Sequence, residues 1–212
     1  MSSTTHWILG CDPGTIKLGW ALVGYDDETK KVWLQDSGVI RAPAKWHINL
    51  RLEKIYDDLK ALFGDHVQIF NNKWLPGKEP GGYGSWLGQG DIKVVVEKYI
   101  VKNARGATAV AMADGIVRLI CAKKGVHYEE AYISSIKKRV TGYGHSDKDG
   151  VRKAVKNLVA APKSGTSDEY DAIAIALSAL PGPLLDLQKK APRRRTKDVD
   201  GIEYAEALTE LT

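Results

Sequence analysis

The chain has 212 residues, a formal net charge of +5, 43% hydrophobic and 27% charged residues, a balance that suits one globular domain with room for an insertion or a tail. No apolar run approaches the roughly 20 residues that span a bilayer, and the opening MSSTTH lacks the charged and apolar regions of a secretory signal. With Cys11 and Cys121 as the two cysteines and no CxxC or His-rich pattern, neither structural disulfides nor structural zinc are expected, and the setting expected is reducing and cytoplasmic.

HWILGCDPG begins with an apolar run that reads as a buried strand, and Asp12-Pro13-Gly14 breaks it, so Asp12 falls at the strand end. GWALVGY and KVWLQDSGVI flank the polar turn DDETKK, the pattern of a hairpin. From about Trp46 to Phe63, Ile48, Leu52, Ile55, Leu59 and Leu62 recur at helical spacing. Residues 71 to 90 are then crowded with Gly and Pro and punctuated by Trp74, Tyr83 and Trp86. Long irregular segments of this kind are functional or disordered; the aromatics either stack on bases or pin the loop onto the body.

DIKVVVEKYI restores a strand, with Val94, Val95 and Val96 buried and Glu97 directly after them. A helix over 107 to 123 follows, with Val110, Ala113, Val117, Ile120 and Cys121 as its core stripe, and then a short strand in HYEEAYI. The basic connector IKKRVTGYGHSDKDG leads to a helix over 148 to 160 that turns Val151, Ala154, Val155, Leu158 and Val159 inward. SDEYDAIAIALSAL forms the last helix, and after Pro181-Gly182-Pro183 comes a weakly ordered tail, basic in KKAPRRRTK and acidic beyond it. This order of elements implies an α/β fold with a mixed sheet covered by helices.

The charge is unevenly spread. Residues 98 to 156 hold thirteen Lys or Arg against five Asp or Glu, a footprint that fits either nucleic acid or a solvated helix face. The last helix raises a sharper question, because a segment this apolar carries Asp168, Glu169 and Asp171 on its first turn. Ser167 or Asp168 can cap the free amides, and acids suit the positive end of a helix. Yet Asp168 and Asp171 share one face and aim two carboxylates at one volume, which also invites a metal. Asp12 and Glu97 adjoin similarly apolar strands, and each alone reads as a turn residue or a surface acid.

Four motifs in order carry a resemblance. WILGCDPGTIKLGWAL, VVVEKYIVKNARGATAVAMADGIVRL, IKKRVTGYGHSDKDGV and SDEYDAIAIAL resemble the RuvC family of Holliday-junction resolvases over roughly residues 7 to 63 and 91 to 180. The resemblance implies a ribonuclease H-like, mixed five-stranded sheet flanked by helices, a homodimer, and paired metal-dependent nicks across a four-way or branched DNA. It implies that Asp12, Glu97, Asp168 and Asp171 are catalytic and hold two magnesium ions, with manganese as a substitute. Lys148 and Lys138 would face DNA phosphates, with Lys102 and Arg105 as further DNA contacts. The family's aromatic wedge falls near Tyr99 and Ile100, so the wedge is expected at Tyr99, Ile100 or a residue of the long loop. On this reading residues 1–183 form the nuclease domain, with an irregular insertion at about 65–90, and 184–212 the tail. Insertion and tail exceed the compact family pattern and hint at a phage-encoded or divergent member acting in the cytoplasm of a bacterial or phage-infected cell.

Three other readings stand beside it. An Asp-x-Gly-Thr turn after a first strand also occurs in actin-like ATPases, which need a second phosphate loop and a much longer chain. A non-catalytic junction-binding protein would keep the basic surface but lose an acid. A less selective nuclease for flaps and forks would share all four motifs.

Overall fold

A hairpin forms where the sequence predicts one. The strands β2 (Lys17–Asp26) and β3 (Val32–Arg41) pair antiparallel, and the Asp26 carboxylate closes their turn by accepting from the amides of Glu28 and Thr29 at 3.1 and 2.7 Å. This computed structural model describes residues 5–70, 92–99 and 104–181, the side chains of 64–70 and 104–106 excepted. Ile100, Lys102, the Arg105 side chain, the 71–90 insertion and the 184–212 tail therefore lie outside the described residues.

The first strand, β1 (Thr5–Asp12), pairs antiparallel with β2 and parallel with β4 (Ile92–Glu97), which pairs parallel with β5 (His127–Ala131). The sheet order is β3-β2-β1-β4-β5. Among the described residues five helices cover it: α1 (Ile48–Phe70), α2 (Ala104–Lys124), α3 (Ile133–Thr141), α4 (Lys148–Leu158) and α5 (Ser167–Ser178).

Alternate residues of each strand enter opposite cores. Leu9, Cys11, Leu18, Leu22, Val94 and Val96 pack with Ile55, Leu59 and Phe63 of α1 and Val117, Ile120 and Cys121 of α2. Ile8, Ala21, Val23 and Val95 face the other way, onto α3, α4 and α5. Each fully buried Val, Leu or Ile contributes about 1.5–3 kcal/mol to folding. In α5 the run from Ala172 to Leu177 is buried all round, because the sheet lies beneath it and α3 and α4 flank it. Gly10 permits the closeness: a Cβ there would come within 2.3 Å of the Ala172 carbonyl oxygen.

Two elements differ from expectation. Residues 133–141, read as a basic connector, form α3, whose Ile136 and Val140 are buried one turn apart beneath a polar and basic surface. That stripe is only two residues long, too brief to stand out as a period, and Gly142 ends the helix in the left-handed conformation (φ 85°). At the other end of the chain, α1 continues to Phe70, so residues 65–70 are helical rather than the start of the irregular insertion.

Candidate active site

Asp12 ends β1 and Glu97 ends β4. The parallel register pairs Leu9 with Val94, Gly10 with Val95 and Cys11 with Val96, so the two acids stand side by side at the carboxyl edge of the central strands. Alternation fixes their side as well. Ile8 and Val95 face α5, and Asp12 and Glu97, an even number of residues on, share that face.

The third contributor arrives from above. Gly19 lies opposite Asp12 in the β1–β2 ladder, and its missing side chain leaves the space in which the Asp168 carbonyl sits. The first turn of α5 is thereby seated over the strand ends. Its capping is done by other residues than expected. Thr166, not Ser167 or Asp168, is the N-cap: its hydroxyl accepts from the Glu169 amide at 3.3 Å while the Glu169 carboxylate accepts from the Thr166 amide at 3.3 Å. Glu169 also accepts a 2.6 Å hydrogen bond from the Ser37 hydroxyl of β3. Asp168 and Asp171 are thus left free of capping.

Both instead meet lysines. Lys17 Nζ lies 3.7 Å from Asp168 Oδ2, and Lys148 Nζ lies 3.1 Å from Asp171 Oδ2. Lys148 also donates to the Ser167 hydroxyl at 2.9 Å. It is the first residue of α4, whose N-cap Asp147 accepts from the Gly150 amide.

Burial pushes the Asp12 carboxyl up to about 7, helped by the charges of Glu97, Asp171 and Asp168 and opposed by Lys148. Glu97 is raised too, by burial first and then by Asp171, while Lys137 and Lys148 pull it down. The hydrogen bond to Asp171 raises Lys148. The other three sequence-predicted acids therefore all act on Asp12 electrostatically, and Asp171 acts on Glu97 as well. Among the described residues, however, no group of three or more carboxylate, histidine or cysteine side chains is drawn close enough to hold a metal ion as it stands. The two observations are compatible. Like charges without a counter-ion repel, and here Asp168 and Asp171 are each paired with a lysine. The donors are all oxygens, and the half-buried Asp12 among them keeps an abnormally high affinity for a proton. The oxygen donor set is of the chemical kind that a hard divalent cation takes.

Two nearby acids do not join them. Asp114 and Glu130 are each held by Arg118 at 2.8 Å, and Asp114 also accepts from the Tyr128 hydroxyl at 2.5 Å. A cleft of about 510 Å³ is lined by Glu97, Tyr99, Thr108, Asp114 and Glu130, so Tyr99 shares it with one of the four acids, Glu97. Lys138 is exposed; it is its neighbour Lys137 whose charge reaches Glu97. Sequence reasoning passed over Lys137 because adjacent lysines are told apart only by the rotation of α3. It also passed over Lys17, which lies within the first motif but is not one of its acids.

Comparison with known proteins bears on these features. The model of the family described as "Crossover junction endodeoxyribonuclease RuvC" matches residues 89–179. The chain is 32% identical over 174 residues to the crossover junction endodeoxyribonuclease RuvC of Gloeobacter violaceus, covering 81% of this chain and 86% of that protein. It is 29% identical over 176 residues to the protein of the same name from Prochlorococcus marinus, covering 82% and 97%. Among solved structures it resembles Thermus thermophilus RuvC in complex with a Holliday junction substrate, with a TM-score of 0.63 at 21% identity over 82% of this chain and 92% of that one. At that identity the structural likeness speaks to the fold.

Proposed function

This chain belongs to the RuvC family of crossover junction endodeoxyribonucleases and has its ribonuclease H-like fold, and we propose that it is a structure-selective DNA endonuclease that resolves Holliday junctions by paired, symmetric hydrolysis of phosphodiester bonds. One observation carries the reading: the carboxylates of Asp12, Glu97, Asp168 and Asp171 come from three elements and couple at one edge of the sheet. A junction-binding module would need no such cluster, and building one costs stability.

The family is a metal-dependent nuclease, and we assign two magnesium ions to this site. When bound they would acidify the attacking water and stabilise charge on the phosphate oxygens. In our assignment Asp12, Glu97, Asp168 and Asp171 would hold the ions through their carboxylate oxygens. No side chain acts as nucleophile. Lys148, at the rim of the acids and 73% exposed, and Lys137 would neutralise the phosphates of the strand being cut. Tyr99, beside the cleft, is our candidate for the residue that wedges into the branch.

Symmetric nicking needs two sites, and we propose a homodimer. The α2 stripe of Ala113, Val117, Ile120 and Cys121 is spent on the chain's own core. Met112 and Leu119, 42% and 45% exposed, remain on the outside of α2 for a second copy. Among the described residues no helix is long and apolar enough to cross a membrane. Selectivity is tested by cleavage rates on a four-way junction, a fork and a matched duplex. Preference for the junction is expected, and equal cutting of the fork would make the protein a general branched-DNA nuclease.

A further inference from the structure

Lys17 is the first residue of β2 and closely follows the Asp12-Pro13-Gly14 turn. It shares its face of the strand with Gly19, two residues on, and over Gly19 the Asp168 carbonyl is seated. One strand step from that contact, its ammonium lies 3.7 Å from Asp168 Oδ2, with 51% of its side chain open to solvent. Lys148 stands in the same relation to Asp171. Two exposed ammonium groups thus flank the acids, each on a flexible stem and able to leave.

An exposed ion pair of this kind contributes little to stability. Its interest is that the partner is one of the acids assigned to metal binding. A divalent ion on Asp168 would repel an ammonium at this distance, so the two compete for one carboxylate. A DNA phosphate offers the displaced ammonium a new partner. We propose that Lys17 is a substrate-positioning residue: it neutralises Asp168 in the metal-free protein, and with a divalent ion bound it holds a phosphate of the strand lying over the acids. The proposal rests on the metal-dependent nuclease reading above. It makes metal and DNA binding mutually supportive, since metal frees the lysine for DNA and DNA removes the competitor of the metal.

Two variants test it: Lys17→Met, which keeps the apolar stem, and Lys17→Arg, which keeps the charge. Manganese titration of the DNA-free protein, followed by the EPR signal of the free ion, should show Lys17→Met binding up to about fivefold more tightly than wild type, the span of an exposed ion pair. Lys17→Arg should stay near wild type. Junction binding by fluorescence anisotropy against salt should lose about one unit of log–log slope in Lys17→Met with calcium present, and nothing in EDTA. Unchanged manganese affinity, or an equal loss of slope with and without calcium, would make Lys17 an ordinary surface cation and overturn the proposal. Asp12→Asn run in parallel separates the two readings. If wild type binds manganese and Asp12→Asn does not, the metal site stands whatever Lys17 does; if wild type binds none, both readings fall.

Discussion

Gly19 and Asp168 are in contact through backbone alone: a Cβ on Gly19 would lie 2.1 Å from the Asp168 carbonyl oxygen and 2.7 Å from its carbonyl carbon. Neither atom belongs to a flexible side chain, so Gly19→Ala must lift the first turn of α5 off the strand ends. A loss of about 1–3 kcal/mol in a urea melt is expected. Because α5 also carries Asp168 and Asp171, cleavage should fall by about 100-fold or more. Gly115 of α2, with nothing within 4 Å of its added Cβ, supplies the contrast, since Gly115→Ala should raise stability by about 0.5–1 kcal/mol.

The first turn of α5 divides its labour, and mutation should separate the parts. Thr166→Ala removes the capping hydroxyl and should cost about 1 kcal/mol in thermal or urea melts while retaining cleavage at temperatures where the protein stays folded. Asp168→Asn and Asp171→Asn should do the reverse, leaving stability equal or higher and abolishing cleavage. An Asp168→Asn variant that cuts at the wild-type rate would remove that residue from the site.

The proton on Asp12 gives a pH prediction. In the metal-free protein its pKa is raised from 3.8 to about 7, so the folded state holds this proton more tightly than the unfolded chain. The associated stability is full below the unfolded value and is lost as pH rises through 7. Asp12→Asn cannot ionise and escapes the loss. In EDTA, melting of wild type at pH 8 relative to pH 5 should therefore fall further than that of Asp12→Asn, by up to about 3 kcal/mol. Magnesium should restore wild type at pH 8 and leave Asp12→Asn unmoved. Parallel pH curves for the two proteins would contradict the coupling of the acids.

Lys137 and Lys138 are neighbours with different surroundings. Lys137 is felt by Glu97, whereas Lys138 is exposed. Lys137→Ala and Lys148→Ala should each weaken junction binding and lower the salt slope by about one, with Lys138→Ala closer to wild type. The reverse ranking would place Lys138 at the DNA, as the motif resemblance alone suggested.

The strands and the positions of the four acids were legible because Asp12 and Glu97 each close an apolar run and Asp168 and Asp171 open one, and such punctuation survives in a single sequence. Asp12 and Glu97 could be placed at strand ends before any register was known. That both share one face follows from the parallel pairing of β1 with β4, a long-range fact that no local pattern holds. The cap on α5 was misread by one or two positions, since Thr166, Ser167 and Asp168 all have capping side chains and only backbone geometry chooses among them. The helix α3 was hidden by its length, with Ile136 and Val140 as its buried pair. Lys17 was invisible for a different reason: an exposed lysine at a strand start acquires meaning only from what lies across the space above it.

The central claim is most directly tested by incubating a labelled synthetic four-way junction with wild type and Asp12→Asn, in magnesium and in EDTA, while following binding in the same samples. Symmetric nicks that require magnesium and vanish in Asp12→Asn are expected, with junction binding retained. Cleavage by Asp12→Asn at the wild-type rate, or tight binding by wild type without cleavage under any divalent ion, would contradict it.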